Sequence, residues 1–512
     1  MKKRFFRTRK MRYAGVSAIL SVLVIVAVIL INTVFGSLAT RYELVTYMSK
    51  ESSYEVTSVC YGILDDAFAK ASEETGKRTG TVEILFCDSE ETWIEDVTQS
   101  YLYHTAKTIA ARYGDRIQVS FHDIYLNPNT VRQYAKDPET GEKATLSNTD
   151  VIIACEDYFR VYELEEFFVF TDLENTQVNG YNGERKLAAG ILRAINRTPQ
   201  TAYLTGNHGE FFYDYELIYL LDDAGYRIES DLDLAAEEIP ADCSLLITYN
   251  PNSDLDFSEG IAEDDKLDRY LSQAGKSYLV FLSNGTPLFS NLESYLNEWG
   301  VRSMKHTDTS TGKEYRYTVQ DTAQSLTSDG YTIYGHLSGQ STAGTWFASL
   351  EENVVFKNTT AMTHATDYAP TGTGAYRKGD RTLYSIYEAS ESALLWANGV
   401  STGGKTPMLM SITEQKNDAG SSYVGVVSSI DLVRMEQTQS AVLDNPDVAQ
   451  RLFSVFGQEN TTEGLKMKPF ATDAIATITT AQMLRWTLGL AIIPTAVVAL
   501  VGVVLLVKRR HA

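Results

Sequence analysis

The sequence predicts an α/β protein, with tandem parallel-sheet units and a β-rich C-terminal part flanked by two transmembrane helices. Three observations predict it. From Thr81 to about residue 300, short apolar runs alternate with helix-length amphipathic stretches. Beyond about residue 305 the composition shifts to Thr, Ser, Gly and Tyr in short alternating runs. Each end of the chain carries a long uncharged stretch beside a basic cluster.

The ends come first. Residues 1–12, MKKRFFRTRKMR, hold seven Lys or Arg and no acid, and no charged residue follows until Arg41. Residues 13–36 read as a membrane helix, because roughly 20 apolar residues at about 1.5 Å rise span a bilayer core. A cleaved signal peptide is the rival, with Ser37-Leu38-Ala39 as its small-x-small site. Residues 486–507, WTLGLAIIPTAVVALVGVVLLV, are uncharged and closed by Lys508, Arg509 and Arg510. A buried core helix is the rival there, but the basic stop favours a membrane span. Basic flanks are cytoplasmic, so residues 1–12 and 508–512 are expected inside the cell membrane and about 40–483 outside it. The chain carries a net charge of −21 despite ten basic residues in those two clusters. So acidic an outer region argues against nucleic acid as a partner.

The outer region divides by pattern into a first α/β unit (40–200), a second (201–305), a β-rich region (306–456) and a Thr-rich tether (457–483). TVEILFCD is a strand ended by an acid, and the helical period of residues 93–114 stops at Gly114. RIQVSFHDIY and DVIIAC are strands, and FRVYEL and FFVFTD suggest a hairpin. GERKLAAGILRAINRTP is a helix stopped by Pro199, with Glu184 placed to complement its dipole. TAYLTG then opens a new series, in which the strands CSLLITYNP and KSYLVFLSNG alternate with helices. Alternation at these lengths implies parallel sheets flanked by helices.

One stretch looks like chemistry. After the strand ending at Thr205 come Gly206, Asn207, His208, Gly209 and Glu210, and then an aromatic helix-like run from Phe211. His208 and Glu210 could supply two metal ligands or an acid–base pair, with Asp214 as a further ligand. The alternative is a strand-turn-helix hinge. Asn207 would then cap the helix, Glu210 would suit its first turn, and Gly206 and Gly209 would allow tight backbone angles. His208 at the carboxyl edge of a parallel sheet also suits ligand or partner contact. Ligand binding at residues 206–210 is therefore retained as an expectation, without catalysis and without a metal or other cofactor. No HExxH, Walker A loop or Gly-x-Ser-x-Gly elbow occurs, so the chain is not an ATP-hydrolysing subunit. Cys60, Cys87, Cys155 and Cys243 lack CxxC spacing and read as buried hydrophobes, although one disulfide stays possible.

Four blocks resemble one family. They are RYELVTYMSKESSYEVTSV after the first apolar stretch, VSFHDIYLNPNTVRQYA, the long GERKLAAGILRAINRTPQTAYLTGNHGE, and LLITYNPNSDL with the following DKLDRYLSQAGKSYLVFL. In order and spacing they resemble the GldG-like auxiliary proteins of ABC transporters over roughly residues 40–300. The chain departs from that pattern at two places: Asn127-Pro128 stands for Asp-Pro, and Asn207 is inserted between Gly206 and His208 of a GHGE-type turn. The resemblance implies a class I glutamine amidotransferase-like α/β fold without that enzyme's chemistry. It also implies a non-ATPase companion of an exporter, with an ABC permease and its separate ATPase subunit as partners and an unspecified cargo.

Overall fold

In a computed structural model, residues 54–73, 76–136, 143, 145–170, 178–210, 215–338, 344–347, 350, 353–459 and 461–470 are described. The expected membrane helices at 13–36 and 486–507 lie outside these residues, as does most of the tether. Among the described residues no helix is long and apolar enough to cross a membrane.

The N-terminal sheet has four strands: β1 (Val82–Phe86), β2 (Ile117–Phe121), β3 (Val151–Cys155) and β4 (Tyr158–Tyr162), in the order β2-β1-β3-β4. β1 and β2 run parallel, with Val82 opposite Ile117. Helix α3 (Val97–Tyr113), the connection between them, makes this crossover possible. A short helix α2 (Glu90–Glu95) precedes it, so the single expected helix is broken. The break is Asp96, whose carboxylate accepts the N–H groups of Thr98 and Gln99 and starts a new helix. β3 is antiparallel to β1, and β4 is antiparallel to β3. The tight turn at Glu156, with φ of 55°, folds β4 straight back onto β3. The unit is therefore a mixed sheet, and the expected hairpin of residues 159–164 with 167–172 does not form. Instead β5 (Phe168–Phe170) pairs with β6 (Val178–Tyr181). Helix α1 (Ser58–Glu73), α3 and α4 (Gly183–Ile195) close this core, with Trp93 edge-on to Phe86 at 4.5 Å.

The second sheet has twelve strands. Its parallel heart runs β8 (Arg227–Leu232), β7 (Thr201–Thr205), β9 (Cys243–Tyr249) and β10 (Ser277–Phe281). Every residue of β10 is buried, so β10 needs a strand on both sides. The second neighbour comes from far along the chain. A hairpin of β12 (Met408–Asn417) and β13 (Gly420–Val427) lays β13 parallel to β10, with Ser277 opposite Tyr423. β11 (Arg381–Glu388) extends the sheet antiparallel to β12. The boundary expected at residue 305 is thus crossed by one continuous sheet. The part after it is rich in short strands, as the composition implies, but it completes the α/β sheet as well. Helices α5 (Glu216–Asp223), α6 (Glu263–Leu271), α7 (Ser290–Glu298) and α8 (Asn445–Val455) accompany this sheet, and the described residues from Val56 onward belong to one compact unit.

Candidate functional site

The turn after β7 is closed around its own side chains. A Cβ on Gly206 would stand 2.7 Å from the Cα of Asp231, and Gly209 has φ of +69°, so both positions favour glycine. His208 is 2% exposed. Its Nε2 lies 3.0 Å from Oε2 of Glu263, the first residue of α6. Its Nδ1 lies 3.4 Å from Oε1 of Glu210, an ion-pair distance without hydrogen-bond alignment. The His208 backbone N–H donates to Glu210 Oε2 at 2.8 Å. Glu263 also accepts from Asn207 Nδ2 and from the Asp256 N–H. The His208 carbonyl accepts the N–H groups of Asn252 and Ser253, which fastens the loop after β9 to the same turn. Thr205 donates its hydroxyl to Glu210.

Burial alone would disfavour a charged imidazole. Interaction with the carboxylates of Glu210 and Glu263 outweighs it, and the His208 pKa is pushed up to about 9. Burial likewise opposes ionisation of Glu210 and Glu263, but His208 and the donors around them hold both below the usual glutamate value. The group is a buried carboxylate–imidazolium–carboxylate cluster joining β7, the loop after β9 and α6.

The chain matches no family model and no curated protein.

The structure brings His208 and Glu210 together and adds Glu263, one of three acids in the first turn of α6. The side chains expected to serve a helix start at Phe211 are engaged elsewhere. The first described helix after the turn starts at Glu216 with Tyr215 at its N-cap, and residues 211–214 before it lie outside the described residues. Asn207 Oδ1 instead accepts the Leu234 N–H, and Glu210 binds Thr205 and the His208 backbone. Phe211 to Asp214 lie outside the described residues, so the proposed ligand Asp214 has no observed place. Among the described residues no group of three or more His, Cys, Asp or Glu is arranged to hold a metal ion. Nor does any hydroxyl or thiol there hydrogen-bond the His208 ring. All four cysteines are buried and unpaired. Burial pushes Cys60 and Cys87 up to about 12 and Cys155 and Cys243 to about 11, far from thiolate nucleophiles.

A second polar cluster sits on α4, all of whose residues are buried. Glu184 accepts the Thr57 N–H and hydroxyl and pairs with Lys468 at 2.7 Å, so its role exceeds dipole complement. Lys186 reaches Asp223 at 2.6 Å. Arg193 reaches Asp222 and the Tyr226 carbonyl. Arg185 lies 3.6 Å from Asp447 of α8. One helix thus ties the first sheet to α5, to α8 and to the strand Lys468–Pro469. Arg185 and Lys186 also border a cleft of about 260 Å³ that Glu163, Glu166 and Tyr219 share.

Proposed function

We propose that the protein is a non-catalytic, membrane-anchored auxiliary subunit of an ABC-type export system. Residues 1–12 and 508–512 would lie in the cytoplasm, and the region from about 40 to 483 would lie outside the membrane. Its partners would be a permease and a separate ATPase. The observation that carries the non-catalytic part is the enclosure of His208. The best-placed acid–base group in the sequence is 2% exposed and held between two carboxylates. The transporter part rests on the four-block resemblance and on the two basic-flanked apolar ends.

An extracytoplasmic hydrolase acting through His208 and Glu210 is the alternative. The grouping of Glu263 with these two residues is what such an enzyme would use. A hydrolase also needs substrate access and a nucleophile or water beside the base, and a 2% exposed ring with no hydroxyl or thiol partner among the described residues offers little support for either. A scaffold of the cell envelope unconnected with transport is a further alternative. Capture of the tagged chain from native membranes separates these readings: a permease and an ATPase should come with it. Their absence, under conditions that keep other transporter complexes whole, counts against the proposal.

A further inference from the structure

At the carboxyl end of β10 a cleft of about 290 Å³ is bordered by Asn284, Thr318, Tyr331, Asn358, Trp396 and Asn398. Its size is near the lower end of ligand-sized pockets, about 300 to 1,000 Å³. Its place, outside the carboxyl ends of parallel strands, is where open α/β sheets take ligands. The chain as a whole is 22% charged, yet no charged side chain lines this cleft. An ionic ligand would find no charged side chain of opposite sign on the lining itself.

The walls are built from separate segments fixed to one another by backbone hydrogen bonds. The Asn284 N–H donates to the Asn358 carbonyl at 3.0 Å, and the Asn358 N–H donates to the Tyr331 carbonyl at 3.0 Å. Asn358 and Asn398 both hold positive φ, 51° and 46°. Asparagine tolerates this left-handed region, and Asn398 with Gly399 forms the two-residue turn that pairs Ala397 with Val400. Each of these two amides has its Nδ2 engaged, with Asp431 and Asp308 respectively, and neither Oδ1 is hydrogen-bonded within the described residues. Among the described residues the exposed Asn284 side-chain amide makes no hydrogen bond, and the buried Trp396 indole N–H has no acceptor.

From this we infer that the cleft binds a neutral saccharide. Amides offer donors and acceptors together, matching hydroxyl groups that do both. Tyr331 and Trp396 supply amphipathic ring surface for the apolar C–H face of a sugar ring. The inference does not depend on the transport reading.

The test uses the full chain in nanodiscs, titrated with cellotetraose, maltotetraose and chitotetraose and followed by saturation-transfer NMR. A neutral Gly-Ser tetrapeptide and an acidic oligogalacturonate are run beside them. At least one neutral tetrasaccharide should bind saturably, with Kd of about 1 mM or tighter. Trp396→Phe and Asn284→Ala should each weaken it about tenfold while leaving the melting temperature unchanged. Asn284 is exposed, so that variant keeps the test informative if Trp396→Phe unfolds. Three results overturn the inference: no neutral saccharide binds up to about 10 mM, binding is unaltered in folded Asn284→Ala, or the peptide or the acidic sugar binds in preference.

Discussion

Replacing His208 with Gln removes the cation from a cluster that keeps two buried carboxylates. Raising an imidazole from 6.5 to about 9 corresponds to roughly 3 kcal/mol of preference for the charged form. Because the folded value is raised, this stability is fully present below the unfolded value near 6.5 and is lost as pH rises through about 9. Glu210 and Glu263 act in the opposite sense. Their folded values are lowered, so their share is present above the unfolded carboxylate range and is lost on acidification. The clamp is therefore strongest in the mildly acidic range. At about pH 6, His208→Gln should destabilise the chain by about 3–5 kcal/mol, the cost of leaving a buried charge unpaired. By about pH 9.5 the difference from the parent should shrink by roughly 3 kcal/mol, because the parent has lost its imidazolium. Urea unfolding of the full chain in detergent, followed by circular dichroism at both pH values, measures this. Equal pH dependence in the two proteins would refute an imidazolium clamp.

Other perturbations have equally definite outcomes. Lys186→Met should cost about 3–5 kcal/mol, since Asp223 stays buried without its partner 2.6 Å away. Adding Asp223→Leu should recover much of that loss, and urea midpoints report both. Gly206→Ala should cost about 1–3 kcal/mol, because the new Cβ meets the backbone of Asp231. Gly62→Ala, in α1 with nothing within 4 Å, should instead stabilise by about 0.5–1 kcal/mol. Tyr125 is 73% exposed, so Tyr125→Cys should react with a membrane-impermeant maleimide in intact cells. The four buried native cysteines should stay silent. Labelling only after permeabilisation would contradict an extracytoplasmic domain.

Local pattern made much of the fold legible. Strands at 82–86, 151–155, 201–205, 243–249 and 277–281 are short apolar runs with turn residues at their ends, and the helix at 183–195 has its stop signal. Pairing was less legible, since it depends on residues distant in sequence. Nothing in GSSYVGVV announces that it lies beside β10 rather than in a separate β-rich region. The buried helix α4 carries four charged residues among its first eleven, a composition that reads as half solvent-exposed. Its partners Asp223 and Asp447 appear only on folding. The same holds for the turn. His208 and Glu210 were visible as a pair, but Glu263 lies 55 positions further on. Three acids at a helix start satisfy the helix dipole by themselves, which hid the one that turns inward.

The sharpest test of the transporter reading is the composition of the complex captured with the tagged full-length chain after cross-linking in native membranes, read by quantitative mass spectrometry. An ABC permease and its ATPase should be recovered at near-stoichiometric levels, and His208→Gln, where it folds, should retain them. Recovery of the chain alone, or with envelope proteins but no transporter subunit, would contradict the assignment.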